Sequence, residues 1–248
     1  MIRTFAEGRL FGSVSGDGLP RVLALHGWAR SHRDFDGVLS PLHLPPLNAI
    51  ALDLPGFGVS PPPPAAWGAE DYARLVAEVL PEMELPVVVL GHSFGGRVAL
   101  HLASQRPEAV RALVLTGVPF LHPIGRKATP ALAFRMLRRL GGWGIISPDR
   151  METARQRYGS SDYKASQGIM RQVHVRAVNE SDEQQFSAVH CPVHLVWGGD
   201  DTAAPPEVAE RASSMLAHSD LDIHAGVGHM TPSVIPDVLR AAVVQCLA

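Results

Sequence analysis

The chain has 248 residues, 46% of them apolar, enough to fill the core of one large α/β domain or two small ones. A formal net charge of −2 gives the whole molecule no attraction to nucleic acid or to an anionic membrane, and two cysteines, Cys191 and Cys246, make no disulfide framework. No apolar run approaches the roughly 18 residues of a spanning helix, and residues 1–12 lack a leader's apolar stretch, so a cytoplasmic protein without a stable membrane anchor is expected.

The chain opens with two short strands between residues 2 and 14, punctuated by Gly12 and by Gly16-Asp17-Gly18. Residues 21–26, RVLALH, read as a strand buried on both faces that runs into His26-Gly27-Trp28. Residues 29–44 suit a loop and a short helix, with Ser31 or Asp34 as N-cap. A third buried strand, LNAIALDL, ends in the tight loop from Asp53 to Ser60. Pro61 to Pro64 can be neither helix nor ladder and should form an exposed extended connector. Residues 69–83 predict an amphipathic helix with Tyr72, Leu75, Val76, Val79 and Leu80 on one side.

Then comes PVVVLGHSFGG, residues 86–96. Val87 to Leu90 are a short, continuously apolar strand, Gly91-His92-Ser93-Phe94-Gly95 fits G-x-S-x-G, and residues 97–105 have helical apolar spacing. Strand, sharp turn and helix with Ser93 at the apex form the setting of a nucleophile elbow. Gly91 and Gly95 let strand and helix approach closely, and the helix N-terminus brings partial positive charge beside a developing oxyanion. A phosphate loop would need Gly-Lys-Ser/Thr, which is absent.

After a strand at residues 111–116 the alternation stops. Residues 118–187 carry helical patterns only: 129–140, a stretch opened by Ser147-Pro148, and 162–178, capped by Ser161. Alternation resumes with VHLVWG, a helix near residues 206–216, the strand LDIHAG and a last helix over 231–247, where Cys246 reads as a small core residue. The fold class is therefore α/β: a mostly parallel central sheet with helices on both faces. A helical cap, 118–187, is inserted into a core made of 1–117 and 188–248.

A serine hydroxyl needs a base, and the base needs an acid to orient it. In a parallel sheet such groups gather at the carboxyl ends of strands. Past VHLVW lie Asp200 and Asp201, and past LDIHA lies His229. The order Ser, Asp, His is that of one large hydrolase class, with the choice between the two aspartates open.

His26-Gly27-Trp28, DLPGFGVS, GHSFGG, WGGDDTAAP and GVGHM resemble the α/β-hydrolase superfamily over essentially the whole length. Within it the chain resembles small-cap carboxylesterases, the esterase of biotin synthesis that acts on carrier-bound methyl esters among them. The resemblance implies Ser93 as nucleophile, His229 as base and then acid, and an aspartate behind it. The superfamily spacing from Gly198 to Pro205 selects Asp201. It also implies an oxyanion hole from the amides of Trp28 and Phe94, and no cofactor. A serine at the elbow disfavours the dehalogenases and epoxide hydrolases, which place aspartate there.

The implied activity is hydrolysis of carboxylic esters or thioesters through an acyl-enzyme. C–C bond hydrolysis, a cofactor-free lyase or synthase, and a ligand-binding receptor of the same fold are the alternatives. No histidine or cysteine set has metal-ligand spacing. His26 and His92 should shape loops, Asp53 should hold amides of its loop, and Arg97 should form a structural ion pair rather than bind a substrate carboxylate. Residues 120–180 hold eleven basic and four acidic residues, a balance of +7 against −9 for the rest. That cap is either a solvated outer face or an attractor of anionic substrate, such as a carboxylate-bearing ester or an acyl group on an acidic carrier. Loose contact of FRMLRRL with a membrane surface is the third reading.

Overall fold

Strands made of valine, leucine and alanine without a polar break have no face to show to water, and they form the middle of the sheet. In a computed structural model, residues 2–121 and 161–248 are described. Among them, eight strands make one sheet: β1 (Ile2–Phe5), β2 (Leu10–Ser15), β3 (Val22–Leu25), β4 (Ala49–Asp53), β5 (Val87–His92), β6 (Val110–Thr116), β7 (Val193–Gly198) and β8 (Ser219–His224). Their order is β1-β2-β4-β3-β5-β6-β7-β8. β1 and β2 run antiparallel to their neighbours, and every later pairing is parallel. The central strands β3, β4 and β5 are buried at every residue, whereas edge strand β8 has none buried.

The helices are α1 (Asp36–Leu39), α2 (Ala69–Val76), α3 (Phe94–Gln105), α4 (Ser161–Ala165), α5 (Gly168–Asn179), α6 (Pro206–Met215), α7 (Thr231–Val234) and α8 (Pro236–Leu247). The two-residue alternation of each strand splits the core into two layers. Leu23, Leu25, Ile50, Leu52, Val87 and Val89 pack with Tyr72 of α2 and with Val98 and Leu102 of α3. Val22, Ala24, Ala49, Ala51, Val88 and Leu90 pack on the other side with Val38 of α1 and with Leu239 and Val243 of α8.

Several expected elements are cut short by backbone chemistry. The helix expected over 69–83 is α-helical only to Val76 and continues as a 3-10 helix over Ala77–Glu82, with Pro81 inside it. The last helix breaks between α7 and α8, where Ile235 precedes Pro236 and takes φ −129°. The helix expected over 162–178 is two helices, because Gln167 is extended and Gly168 has φ +51°. Ser31 makes no side-chain cap bond, and Arg30 holds the Asp34 carboxylate instead. Pro63 of the proline connector is buried. The helix at 129–140 and the Ser147-Pro148 start lie outside the described residues, as do eight of the eleven basic residues counted above, so the cap expected over 118–187 is described only at its ends.

Candidate active site

β5 delivers Ser93 to the carboxyl edge of the sheet in a conformation that side chains rarely adopt, φ 50°, ψ −117°. The turn is this tight because the flanking glycines leave no room for anything larger. A Cβ on Gly91 would lie 2.5 Å from the Gly96 Cα, and one on Gly95 would lie 2.1 Å from the Leu25 carbonyl oxygen. The Ser93 amide donates to the Thr116 carbonyl of β6 at 2.9 Å, which pins the apex between two strands.

The loops after β7 and β8 bring two further groups to the serine. His229 Nε2 stands 3.1 Å from Ser93 Oγ, and His229 Nδ1 stands 2.8 Å from Asp201 Oδ2. The other oxygen of Asp201 accepts the amides of Ala203 and Ala204, both at 2.8 Å, so both oxygens of this buried carboxylate are engaged. Asp200, the competing acid, is exposed and offers its backbone amide to Val227. The His229 side chain keeps 27% of its access and Ser93 is half-buried, against 0% for the Asp201 side chain. Gly117, at φ +60°, passes beneath this pair, and a Cβ there would lie 3.1 Å from His229 Nδ1.

A cavity of about 540 Å³ opens over Ser93 and His229. Trp28 and Phe94 line it beside the serine, at the ends of β3 and β5. As the first residue of α3, Phe94 has no intrahelical acceptor for its amide. The Trp28 ring packs edge-on against Phe57, Phe94 and His174, at 4.9, 5.6 and 4.9 Å between centroids. His174 also lines the cavity, and no motif surrounds it in the sequence. Its signal is periodic: with Met170, Val173 and Ala177 it repeats at helical spacing on the face of α5 turned to the core. Burial lowers its pKa and so favours the neutral imidazole. Ala203, Ala204, Pro205 and Val208 add an apolar wall on the β7 side, also unforeseen.

The remaining polar residues behave as structural groups. His26 accepts the Leu54 amide at Nε2 (3.0 Å) and donates from Nδ1 to the Gly27 carbonyl (2.7 Å), while burial lowers its pKa. Asp53 accepts the amides of His32 and Val59 at 2.7 and 3.0 Å, as expected of a residue that holds its loop. Arg97 lines the cavity but is already paired. Its Nε and Nη2 reach Asp182 at 2.5 and 3.1 Å, its Nη1 donates to the Ala177 carbonyl, and His101 Nε2 contacts Asp182 at 3.0 Å. Burial alone would raise the Asp182 carboxyl, but bonds from His101 and Arg97 outweigh it and hold the pKa below the usual value.

A model of the alpha/beta hydrolase family matches residues 22–242. The chain belongs to the alpha/beta hydrolase family. It is 25% identical over 245 residues to the uncharacterized hydrolase YugF of Bacillus subtilis, covering 90% of this chain and 88% of that one. It is 28% identical over 240 residues to a pimeloyl-[acyl-carrier protein] methyl ester esterase of Neisseria meningitidis, covering 86% of this hydrolase and 88% of that protein. Among solved structures, a putative lipase from Acinetobacter baumannii superposes with a TM-score of 0.72 at 19% identity, covering 100% of this chain and 90% of that one, a likeness of fold. Among the described residues, no helix of this family member is long and apolar enough to cross a membrane.

Proposed function

We propose that this hydrolase cleaves carboxylic esters, and thioesters by the same route, through an acyl-enzyme on Ser93. The observation that carries the reading is the unbroken line from Ser93 Oγ through His229 to Asp201, at 3.1 and 2.8 Å, with its serine end in the cavity. Ser93 Oγ attacks the acyl carbonyl while His229 Nε2 takes its proton. Asp201 keeps the imidazole in the tautomer with the proton on Nδ1 and favours the imidazolium that forms. The oxyanion rests on the amides of Trp28 and Phe94, and the α3 N-terminus adds partial positive charge there. His229 then protonates the leaving alcohol or thiol and activates the water that releases the acid. No step requires a metal or cofactor.

The apolar and aromatic lining of the cavity suits an acyl chain, and Arg97 is already spent on Asp182 rather than free for a substrate carboxylate. A carrier-bound acyl group is favoured by the similarity to the pimeloyl-[acyl-carrier protein] methyl ester esterase of Neisseria meningitidis, which is named for a substrate of that kind. A fluorophosphonate probe together with a panel of p-nitrophenyl esters tests the proposal. Stoichiometric labelling at Ser93 and rapid ester turnover, both lost in Ser93→Ala, are expected. Labelling without turnover would point to a lyase or receptor, and full turnover by Ser93→Ala would refute the mechanism.

A further inference from the structure

His92 takes no part in the chemistry above, yet it touches both ends of it. It is the last residue of β5, immediately before Ser93, and is 1% exposed. Its Nε2 lies 2.9 Å from the backbone oxygen of His229. A carbonyl can only accept, so Nε2 carries the proton. Nδ1 is then a bare lone pair, buried and without a hydrogen-bond partner among the described residues. The Gly27 backbone closes the space beside it, where even a Cβ would come within 2.9 Å of that nitrogen. The His92 ring also faces the His229 ring, with centroids 4.9 Å apart.

His229 needs such support because of where it comes from. It rides on the loop after β8, an edge strand three places from β5 in the sheet. A base must hold its position to within a fraction of an ångström of the proton it removes. Besides the contacts of the His229 ring with Ser93 and Asp201, two side-chain bonds among the described residues tie this loop to the strand ends nearest the serine: His92 to the carbonyl of His229, and Thr116 to Thr231 at 2.6 Å. Only the first acts on the residue that does the work.

We propose that His92 is a positioning residue for His229, holding the backbone of the base with a neutral Nε2–H donor so that its ring stays over Ser93 Oγ. This rests on the reading of Ser93 and His229 given above. Neutrality matters because His229 becomes an imidazolium during turnover, and a second charge at van der Waals range would oppose it. Burial, then the nearby His229, lowers the pKa of His92 to about 4, while Asp34 and Asp201 pull weakly the other way. Those three groups are the charges that face it among the described residues, and the neutral form prevails near neutral pH.

The competing view is a ring that merely fills space, and the variants separate the two. His92→Phe keeps a ring and loses the donor, while His92→Gln keeps an amide N–H that can reach the same carbonyl. Steady-state kinetics of the full chain on p-nitrophenyl butyrate should show kcat of His92→Phe reduced on the order of 10- to 100-fold, with KM changed by less than about threefold. The acidic limb of its kcat/KM profile, which reports the base in the free enzyme, should move. His92→Gln should recover most of the rate and the wild-type limb. Wild-type kcat and limb in His92→Phe would overturn the proposal, as would equal losses in both variants. Nitrogen-15 NMR of the unaltered protein gives a check that needs no variant. The His92 ring should be the neutral Nε2–H tautomer at about pH 6 to 8, and an Nδ1–H tautomer would overturn the assignment. Ser93→Ala runs alongside: its activity would remove the reading of the whole site, whereas an inactive Ser93→Ala with a fully active His92→Phe removes only the role of His92.

Discussion

Two clusters in this hydrolase share a vocabulary and differ in what they leave open. Ser93, His229 and Asp201 form one. Arg97 and His101 of α3, with Asp182, form the other. Each joins a histidine to a buried aspartate, and each draws a distant part of the chain onto the β5–α3 unit. In the second, Arg97 is 3% exposed and Asp182 1%, and the carboxylate is matched on both oxygens. The charges are paired and almost fully enclosed, and the pair ends on no nucleophile. In the first, the carboxylate is equally enclosed, but the imidazole is a quarter exposed and ends on a hydroxyl at a cavity wall. A His–Asp pair therefore marks chemistry only when its far end is unspent and reachable.

That contrast can be broken at either cluster. The largest effect is expected at Asp201. Asp201→Asn should lower kcat by about 10⁴-fold with little loss of stability, since the imidazole loses the acceptor that sets its tautomer. Asp200→Asn should stay within about threefold, because an exposed carboxylate shapes little. The reverse outcome in a side-by-side kinetic assay would transfer the acid role to Asp200. At the closed cluster, Asp182→Ala strands the buried Arg97 charge and should cost about 3–5 kcal/mol in denaturant unfolding. The fraction that stays folded should keep its kcat, and an unchanged midpoint with altered KM would instead make Arg97 a binding group.

Acid sharpens the comparison more gently. His92 folds with its pKa lowered to about 4, so between about pH 6.5 and 4 the unfolded chain binds a proton that the folded chain refuses, and His26, also lowered by burial, acts in the same direction below about pH 6.5. Stability should be full above pH 6.5 and fall as pH drops, by up to about 1.4 kcal/mol per pH unit for each histidine. Asp182, lowered in the folded state, adds its own loss as pH falls further through its folded value. Melting scans from pH 7.5 to about 4.5 should show this slope reduced in His92→Gln; a slope equal to wild type would locate the acid sensitivity elsewhere. The smallest effect is expected at Gly117. Gly117→Ala meets both a positive φ and the His229 ring, and should cost about 1 kcal/mol in stability with a several-fold drop in kcat.

What could be read from the chain is what is local. The elbow is a five-residue pattern in a strand-to-helix setting, and the glycines that make it possible sit within it. Strand positions followed from runs such as VVVL because a buried strand writes its burial into every residue. Asp201 needed the superfamily spacing, since two adjacent aspartates have the same local signature; the fold separates them by turning one inward onto the amides of Ala203 and Ala204. The Arg97–Asp182 pair spans 85 positions and has no period to betray it. The interruptions at Pro81, Gly168 and Pro236 were visible as residues but were overridden by apolar spacing, although a missing amide or a left-handed φ decides against spacing. His174 was hidden by number, as one of 12 histidines.

The placement of the proposed nucleophile in mid-sheet and its proposed base beyond the outermost strand has a last consequence. β8 is held by hydrogen bonds on one side alone, and fraying starts at such borders. Warming should first loosen this margin, carrying the imidazole away while the elbow stands intact. Inactivation would then run ahead of melting, and a chain that has stopped turning over would still be almost entirely folded.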